Sequence, residues 1–152
     1  MPPPRPRHGE ICVQIAFLLR QFLERHRVGR VASNDSGVKT ENNPDTVRGA
    51  DVAFFAYDRW PTDADEDSLA PGPPNIVFEV RSSTDRTPQI LHKVYEYLDA
   101  GVEVVVVVDP KSRAATIYKP DGSKRVLQGK QKLTFSNVLK GFSVPVSRFF
   151  EF

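Results

Sequence analysis

Two carboxylates interrupt apolar stretches of this sequence. Glu79 lies within Ile76-Val-Phe-Glu-Val80, and Asp51 opens the segment Ala50-Asp-Val-Ala-Phe-Phe-Ala-Tyr57. A carboxylate in a core-facing strand is costly unless a cation, a metal ion or a hydrogen-bond donor accompanies it. Two hard oxygen ligands with open coordination positions suit Mg²⁺ or Mn²⁺. The pair therefore indicates a candidate metal site.

Strand geometry decides whether these two carboxylates can meet. Alternation places Glu79 on the same strand face as Arg81, and Asp51 on the same face as Ala53. Two strands joined by a long loop are commonly neighbours, so both carboxylates are expected at one end of a sheet. Structural roles are the alternatives. Glu79 could pair with Arg81 at the strand end, and Asp51 could be a turn or cap residue at its strand start.

Lys93 is a candidate cation for this site. It lies in a segment with helical spacing, at the border of the apolar arc formed by Ile90, Val94 and Tyr97. A lysine at such a border usually lays its stem on the core and leaves its ammonium in water. A role at the carboxylates requires that this helix pack beside their strands.

The prolines between Pro2 and Pro6 indicate an extended lead-in over residues 1–7. A single domain is expected over residues 8–152, because a chain of 152 residues that are 39% hydrophobic can bury one core. The net charge of +2 gives no broad field for a polyanion, so any contact with nucleic acid requires a local basic patch. The single cysteine, Cys12, excludes an intramolecular disulfide and fits a reducing, cytoplasmic location. Neither a signal peptide nor a membrane span is predicted.

Apolar periodicity predicts two helices, one from His8 to near Gly29 and one that has Thr87 as N-cap and ends before Gly101. Residues 30–47 are expected to form two or three short antiparallel strands with a turn at residues 42–45, and residues 58–74 an exposed loop. The run Glu103-Val-Val-Val-Val-Val108 is expected in mid-sheet, because it is too continuously β-branched for a half-exposed strand. A hairpin around Pro120-Asp-Gly122 and an apolar tail over residues 133–152, packed on the sheet, complete a mixed α/β (α+β) fold.

Six segments, taken in order and spacing, resemble the Uma-two family of bacterial proteins assigned as endonucleases, within the PD-(D/E)XK nuclease superfamily. The resemblance extends from about Pro4 to Phe150, and its segments are Arg7-His8-Gly9, Thr46-Val-Arg-Gly-Ala-Asp-Val-Ala-Phe54, Pro74-Asn-Ile-Val-Phe-Glu-Val-Arg-Ser82, Lys93-Val-Tyr-Glu-Tyr-Leu-Asp-Ala-Gly101, Val107-Val-Asp-Pro110 and Leu139-Lys-Gly-Phe142. It implies a restriction-endonuclease-like core with a mixed central sheet flanked by helices.

The same resemblance implies site roles. Asp51 and Glu79 are similar to the family's acidic metal ligands, with the Val80 carbonyl as a further ligand, and Lys93 to a migrated catalytic lysine. Arg81 stands where the superfamily pattern has lysine, and because it stays protonated it is expected to contact phosphate and not to act as a base. His8 either contacts phosphate or simply begins the first helix.

The function implied is Mg²⁺- or Mn²⁺-dependent hydrolysis of phosphodiester bonds in DNA. A catalytically idle nuclease fold that binds nucleic acid or protein is the alternative, since Arg81 replaces lysine and the net charge is low. A third alternative is an interaction module whose apolar tail over residues 142–152 forms a homodimer interface. No zinc site is predicted, because His8, His26 and His92 show no ligand spacing.

Overall fold

The computed structural model describes residues 3–42 and 45–152. In chain order these residues form α1 (Pro6–Arg25), β1 (Gly29–Glu41), β2 (Thr46–Ala56), β3 (Ile76–Val80), α2 (Thr87–Asp99), β4 (Val104–Asp109), β5 (Ala114–Tyr118), β6 (Lys124–Gln128), β7 (Lys132–Phe135), β8 (Leu139–Pro145) and a 3-10 helix (Val146–Phe150). The first six strands form one sheet in the order β1-β2-β3-β4-β5-β6, and β7 pairs with β8. The predicted α+β class is confirmed.

Helix α1 begins at Pro6, two residues before the predicted start, and ends at Arg25, well before the predicted end near Gly29. Proline is favoured at the first helical position because its missing N–H would have no helical partner there. Gly29 instead opens β1, where an added Cβ would overlap the Phe55 carbonyl oxygen and lie 2.6 Å from the Phe54 ring. The glycine therefore marks a close approach of two strands and not a helix end.

Residues 30–47 do not form several short strands. One long strand, β1, pairs antiparallel with β2 from Gly29 beside Ala56 to Glu41 beside Thr46, with a register shift between Ser33 and Ser36. Asn34 and Asp35 occupy this bulge with φ of 62° and 55°. Asn and Asp tolerate this left-handed backbone, so the sequence could be mistaken for a chain reversal. Asn43 and Pro44 of the predicted turn lie outside the described residues.

The centre of the sheet is a parallel pair. β3 lies beside β4 from Ile76 next to Val104 to Val80 next to Val108, and α2 is the crossover that a parallel pair needs. Every side chain from Val104 to Val108 is exposed by 5% or less, which confirms the predicted mid-sheet strand. Helix α2 has Arg86 and not Thr87 at its N-cap, where the Gln89 side chain accepts the Arg86 backbone N–H at 3.4 Å.

The two faces of the sheet carry separate cores. One core joins α1, alternate strand residues and the C-terminal tail, and the other joins α2 to the opposite strand residues. The tail packs on the sheet as predicted. Its Phe142, Phe149 and Phe150 are buried within this chain, so they do not form the exposed aromatic surface that the dimer alternative needs, although Phe152 is 62% exposed. Over the ranges described, no helix combines the length and apolarity needed to cross a membrane.

Gly29→Ala should lower the free energy of unfolding by about 2 kcal/mol or more, because the new methyl group overlaps backbone and aromatic atoms. Gly9→Ala is the matched control. Gly9 lies in α1 with no atom within 4 Å of an added Cβ, so this change should raise stability by up to about 1 kcal/mol through helix propensity. Urea unfolding measures both, and a Gly29→Ala protein as stable as wild type would show that β1 and β2 do not approach as described.

Candidate active site

Asp51 and Glu79 lie on adjacent strands of the large sheet. The β2–β3 register pairs Val52 with Phe78 and Ala53 with Val77, so the next position places Asp51 opposite Glu79. Residues opposite each other in an antiparallel pair project from the same face. Extending the register by one position therefore puts both side chains on the same face, as the sequence predicts. Asp51, however, lies within β2 and not at its opening, because the hairpin with β1 extends the strand back to Thr46.

Asp51 is held by groups from two different elements. Its Oδ2 accepts the backbone N–H of Val80 at 2.7 Å and lies 3.2 Å from Nε2 of His8 on α1. The side chain is only 9% exposed. Hydrogen bonds to Asp51, and secondarily to Cys12, raise the pKa of His8 from 6.5 to about 10. At neutral pH His8 is thus an imidazolium that donates to Asp51, and neither a turn nor a cap accounts for this carboxylate.

The Glu79 carboxylate accepts hydrogen bonds from two side chains of α2. Lys93 Nζ donates to Oε2 at 2.8 Å, and the Tyr97 hydroxyl donates to Oε1 at 2.8 Å. The two donors are four residues apart on one helix face. Glu79 is 3% exposed, and this burial raises its pKa to about 7 against the opposing attraction of Lys93, with the Asp51 charge adding to the rise. Burial also raises the pKa of Tyr97, so its hydroxyl stays protonated and remains a donor.

The cation beside Glu79 is Lys93 and not Arg81. Among the described residues the ion pair of Glu79 is with Lys93, so the alternative of a Glu79–Arg81 pair is wrong. The Arg81 guanidinium donates to the Asp85 carbonyl at 3.3 Å, in the loop before α2, and to the hydroxyl of Thr87, the first residue of α2, at 3.4 Å. The Lys93 side chain is 31% exposed, so Glu79 is paired with a lysine that is itself only partly buried.

A groove of about 730 Å³ is lined by His8, which connects it to Asp51, while Asp51, Glu79 and Lys93 are not part of its lining. Its wall is mainly basic and polar, formed by Arg5, Arg7, His8, Arg81, Ser82, Ser83, Asp85, Asp109, Pro110 and Lys111. The two acids of the lining accept local backbone hydrogen bonds, Asp85 from the Ser82 N–H and Asp109 from the Lys111 N–H. Because the net charge of the chain is low, contact with a polyanion depends on a local basic patch, and this groove is such a patch.

The donor set fits a hard divalent cation. Asp51 and Glu79 present carboxylates from opposing positions, and their repulsion contributes to the raised pKa of Glu79. A cation between them would relieve that repulsion, and carboxylate oxygens are the ligands that Mg²⁺ and Mn²⁺ prefer. Val80, the last residue of β3, adds a backbone carbonyl at the same strand end.

Two site residues escaped the sequence analysis. Tyr97 was assigned only to the apolar face of α2, although its spacing of four from Lys93 was the signal that both could reach one carboxylate. Cys12 was considered without a partner, yet its sulfur lies 3.7 Å from Nδ1 of His8, four residues earlier on α1. His8, Cys12 and Asp51 each offer a ligand atom within 4.8 Å of the others. The prediction that the histidines have no ligand spacing overlooked this pair.

The raised pKa of Glu79 predicts a pH-dependent stability difference between wild type and Glu79→Gln. A folded pKa of about 7, above the ordinary 4.5, favours the folded protein below pH 4.5, and this contribution is lost as the pH rises through 7. The unfolding free energy of wild type minus that of Glu79→Gln should therefore fall between pH 4.5 and 7 and be constant above. Urea unfolding measures it, with exposed Glu24→Gln as the flat control. A difference independent of pH would mean that folding does not raise the pKa of Glu79.

Comparisons with known proteins identify the fold and the family. The fold is similar to the crystal structure of a putative nuclease belonging to DUF820 from Anabaena variabilis, with a TM-score of 0.82, 16% identity, and coverage of 98% of this chain and 83% of that chain. Such identity establishes the fold alone, and it confirms the predicted nuclease-like core. A search of curated proteins found no match. The profile of the Uma2 family, described as putative restriction endonuclease, matches residues 1–147. The chain therefore belongs to the Uma2 family.

Proposed function

We propose that this protein is a metal-dependent endonuclease that hydrolyses phosphodiester bonds in DNA. The observation that carries the proposal is the placement of Asp51 and Glu79 at opposing strand positions, with the Lys93 ammonium on Glu79 and a basic groove alongside. The description of the Uma2 family as putative restriction endonuclease supports both the reaction and DNA as its substrate. The DUF820 protein, described as a putative nuclease, shares the fold.

Asp51, Glu79 and the Val80 carbonyl would hold Mg²⁺ or Mn²⁺. Such an ion, when bound, lowers the pKa of a coordinated water and neutralises phosphate charge. The protein's own contribution is to hold the carboxylates in place, because the Val80 N–H donates to Asp51 and the Tyr97 hydroxyl donates to Glu79. Positioning by buried groups of this kind costs little reorganisation during the reaction.

Lys93 is the residue we assign to the reacting groups. Its ammonium lies 2.8 Å from Glu79 and the side chain is partly exposed, and we assign it to contact a phosphate oxygen or to orient the attacking water. Arg81 is always protonated and cannot accept a proton, and we assign it to phosphate binding in the groove. His8, a cation at neutral pH, is the groove residue nearest to Asp51 and is assigned to the same task.

The groove supplies binding that does not depend on sequence. Arg5, Arg7 and Lys111 add positive charge to Arg81 and His8 along one wall. Phosphate contacts of this kind position a nucleic acid without reading its bases. We place the protein in the cytoplasm, a reducing compartment in which Cys12 remains a free thiol and DNA is accessible.

A second candidate function is nucleic-acid binding without cleavage. It is favoured by Arg81, which stands where the superfamily pattern has lysine and whose guanidinium donates to Asp85 and Thr87 away from Glu79. Both candidates use the same groove. Only the first requires that the carboxylates bind a metal ion and that strand breaks follow.

Asp51→Asn and Glu79→Gln should each abolish Mg²⁺-dependent nicking of plasmid DNA and weaken Mg²⁺ binding, because each removes an anionic oxygen ligand. Lys93→Ala should slow nicking by about 10²–10³-fold while Mg²⁺ binding persists, because the ammonium acts on the charge of the transition state. Gel assays and calorimetry measure these effects, and exposed Lys130→Ala, outside the groove lining, is the control that should nick like wild type.

Nicking that survives both carboxylate changes would show that these residues do not form the active site. Mg²⁺ binding by wild type without any strand breaks would favour the binding function instead. Circular dichroism on every variant separates a lost ligand from a lost fold.

Arg81→Ala and Lys111→Ala should each weaken binding to duplex DNA and reduce the slope of log affinity against log salt by about 0.9, the value expected for one lost phosphate contact. Fluorescence anisotropy in EDTA, between low and moderate salt, measures this slope without cleavage. Lys130→Ala should leave the slope unchanged. Equal slopes for wild type and both groove variants would show that DNA does not lie in this groove.

A further inference from the structure

Three side chains that combine sulfur, nitrogen and oxygen ligands meet beside the carboxylate pair. His8 and Cys12 lie on successive turns of α1, with Nδ1 of His8 3.7 Å from the Cys12 sulfur. Across from them, Asp51 Oδ2 lies 3.2 Å from Nε2 of His8. One ligand atom from each residue falls within 4.8 Å of the other two. The i,i+4 helical pair presents both ligands on one face, and β2 supplies the third.

The chemistry of this cluster differs from that of the Asp51–Glu79 pair. Thiolate and imidazole are soft or borderline ligands, which select zinc-class ions over Mg²⁺. Zinc bonds to S, N and O of about 2.0–2.3 Å in a tetrahedron place ligand atoms about 3.3–3.8 Å apart, so the three side chains need to draw together by about 1 Å. All three are buried or half-buried, while His8 also lines the groove, which gives an entry path.

We propose that His8, Cys12 and Asp51 form a binding site for a zinc-class divalent cation. One nitrogen of His8, the sulfur of Cys12 and one oxygen of Asp51 bind the ion, and water from the groove occupies the fourth position. On binding, the Cys12 thiol and the His8 imidazolium each release one proton to solvent. Three protein ligands with an open fourth position are typical of zinc sites that stay accessible.

Asp51 belongs to both sites, so the two sites compete for its charge. An ion held by His8, Cys12 and Asp51 neutralises the aspartate and repels a second cation at the pair with Glu79, which weakens Mg²⁺ binding there. This consequence rests on the proposed function, in which Asp51 and Glu79 share Mg²⁺. Zinc-class ions are therefore inhibitors of the hydrolysis. Replacing Cys12 should weaken this inhibition without changing Mg²⁺ binding, since Cys12 is not a ligand of Mg²⁺.

Cobalt titration of the reduced, metal-free protein tests the site without any need for activity. Wild type should bind one Co²⁺ with the intense visible bands of tetrahedral coordination and a thiolate-to-cobalt charge-transfer band in the near ultraviolet. Both Cys12→Ser and Cys12→Ala should lose the charge-transfer band, and their zinc affinity should fall by about 10-fold or more, as expected for removal of a ligand. His8→Ala should weaken the site, and exposed His26→Ala is its matched control with unchanged spectra.

The absence of a thiolate band in folded wild type, or its persistence in both Cys12 variants, would overturn the site. Calorimetry tests the shared aspartate. Mg²⁺ should bind zinc-loaded wild type more weakly than zinc-free wild type, and Cys12→Ser in the same zinc concentration should lose most of this difference. Equal Mg²⁺ affinity of wild type with and without zinc would overturn the competition between the sites. A protein that shows the thiolate band but never nicks DNA keeps the zinc-class site and loses only the proposed endonuclease function.

Discussion

The carboxylate of Glu79 is buried between the sheet and α2, and its need for partners sets the arrangement around it. An ionised carboxylate at 3% exposure is costly unless both oxygens are engaged. Lys93 and Tyr97 meet that need from one face of α2, which fixes how the helix crosses the end of β3. Burial nevertheless outweighs the attraction of Lys93 and raises the pKa of Glu79 to about 7.

Asp51 couples this site to the opposite layer of the fold. It shares a sheet face with Glu79, but its partners are the last amide of β3 and His8 from α1, the helix that packs on the other core. The site is thus held by one helix from each side of the sheet. The same arrangement places His8 in the lining of a basic groove and Cys12 beside His8, so the proposed Mg²⁺ site and the proposed zinc-class site share Asp51.

The features that the sequence predicted correctly are those that depend on local periodicity. An acid within an apolar strand singled out Glu79, alternation placed Asp51 on the matching face, and a β-branched run placed β4 in mid-sheet. Residues that depend on packing between distant segments were missed. Tyr97 has the spacing of a core residue until Glu79 lies beneath it, and Cys12 gains a ligand role only when β2 brings Asp51 to α1. The bulge at Asn34 and Asp35 has turn-like composition, so one long strand was predicted as several short ones.

The central claim is that Asp51 and Glu79 bind one hard divalent ion. A crystal structure grown with Mn²⁺, analysed by anomalous scattering from the metal, tests it most directly. We expect one anomalous peak within about 2.0–2.6 Å of oxygens from both Asp51 and Glu79. A manganese peak that contacts neither carboxylate, or Glu79 bound only to Lys93 and Tyr97 at saturating Mn²⁺, would contradict it.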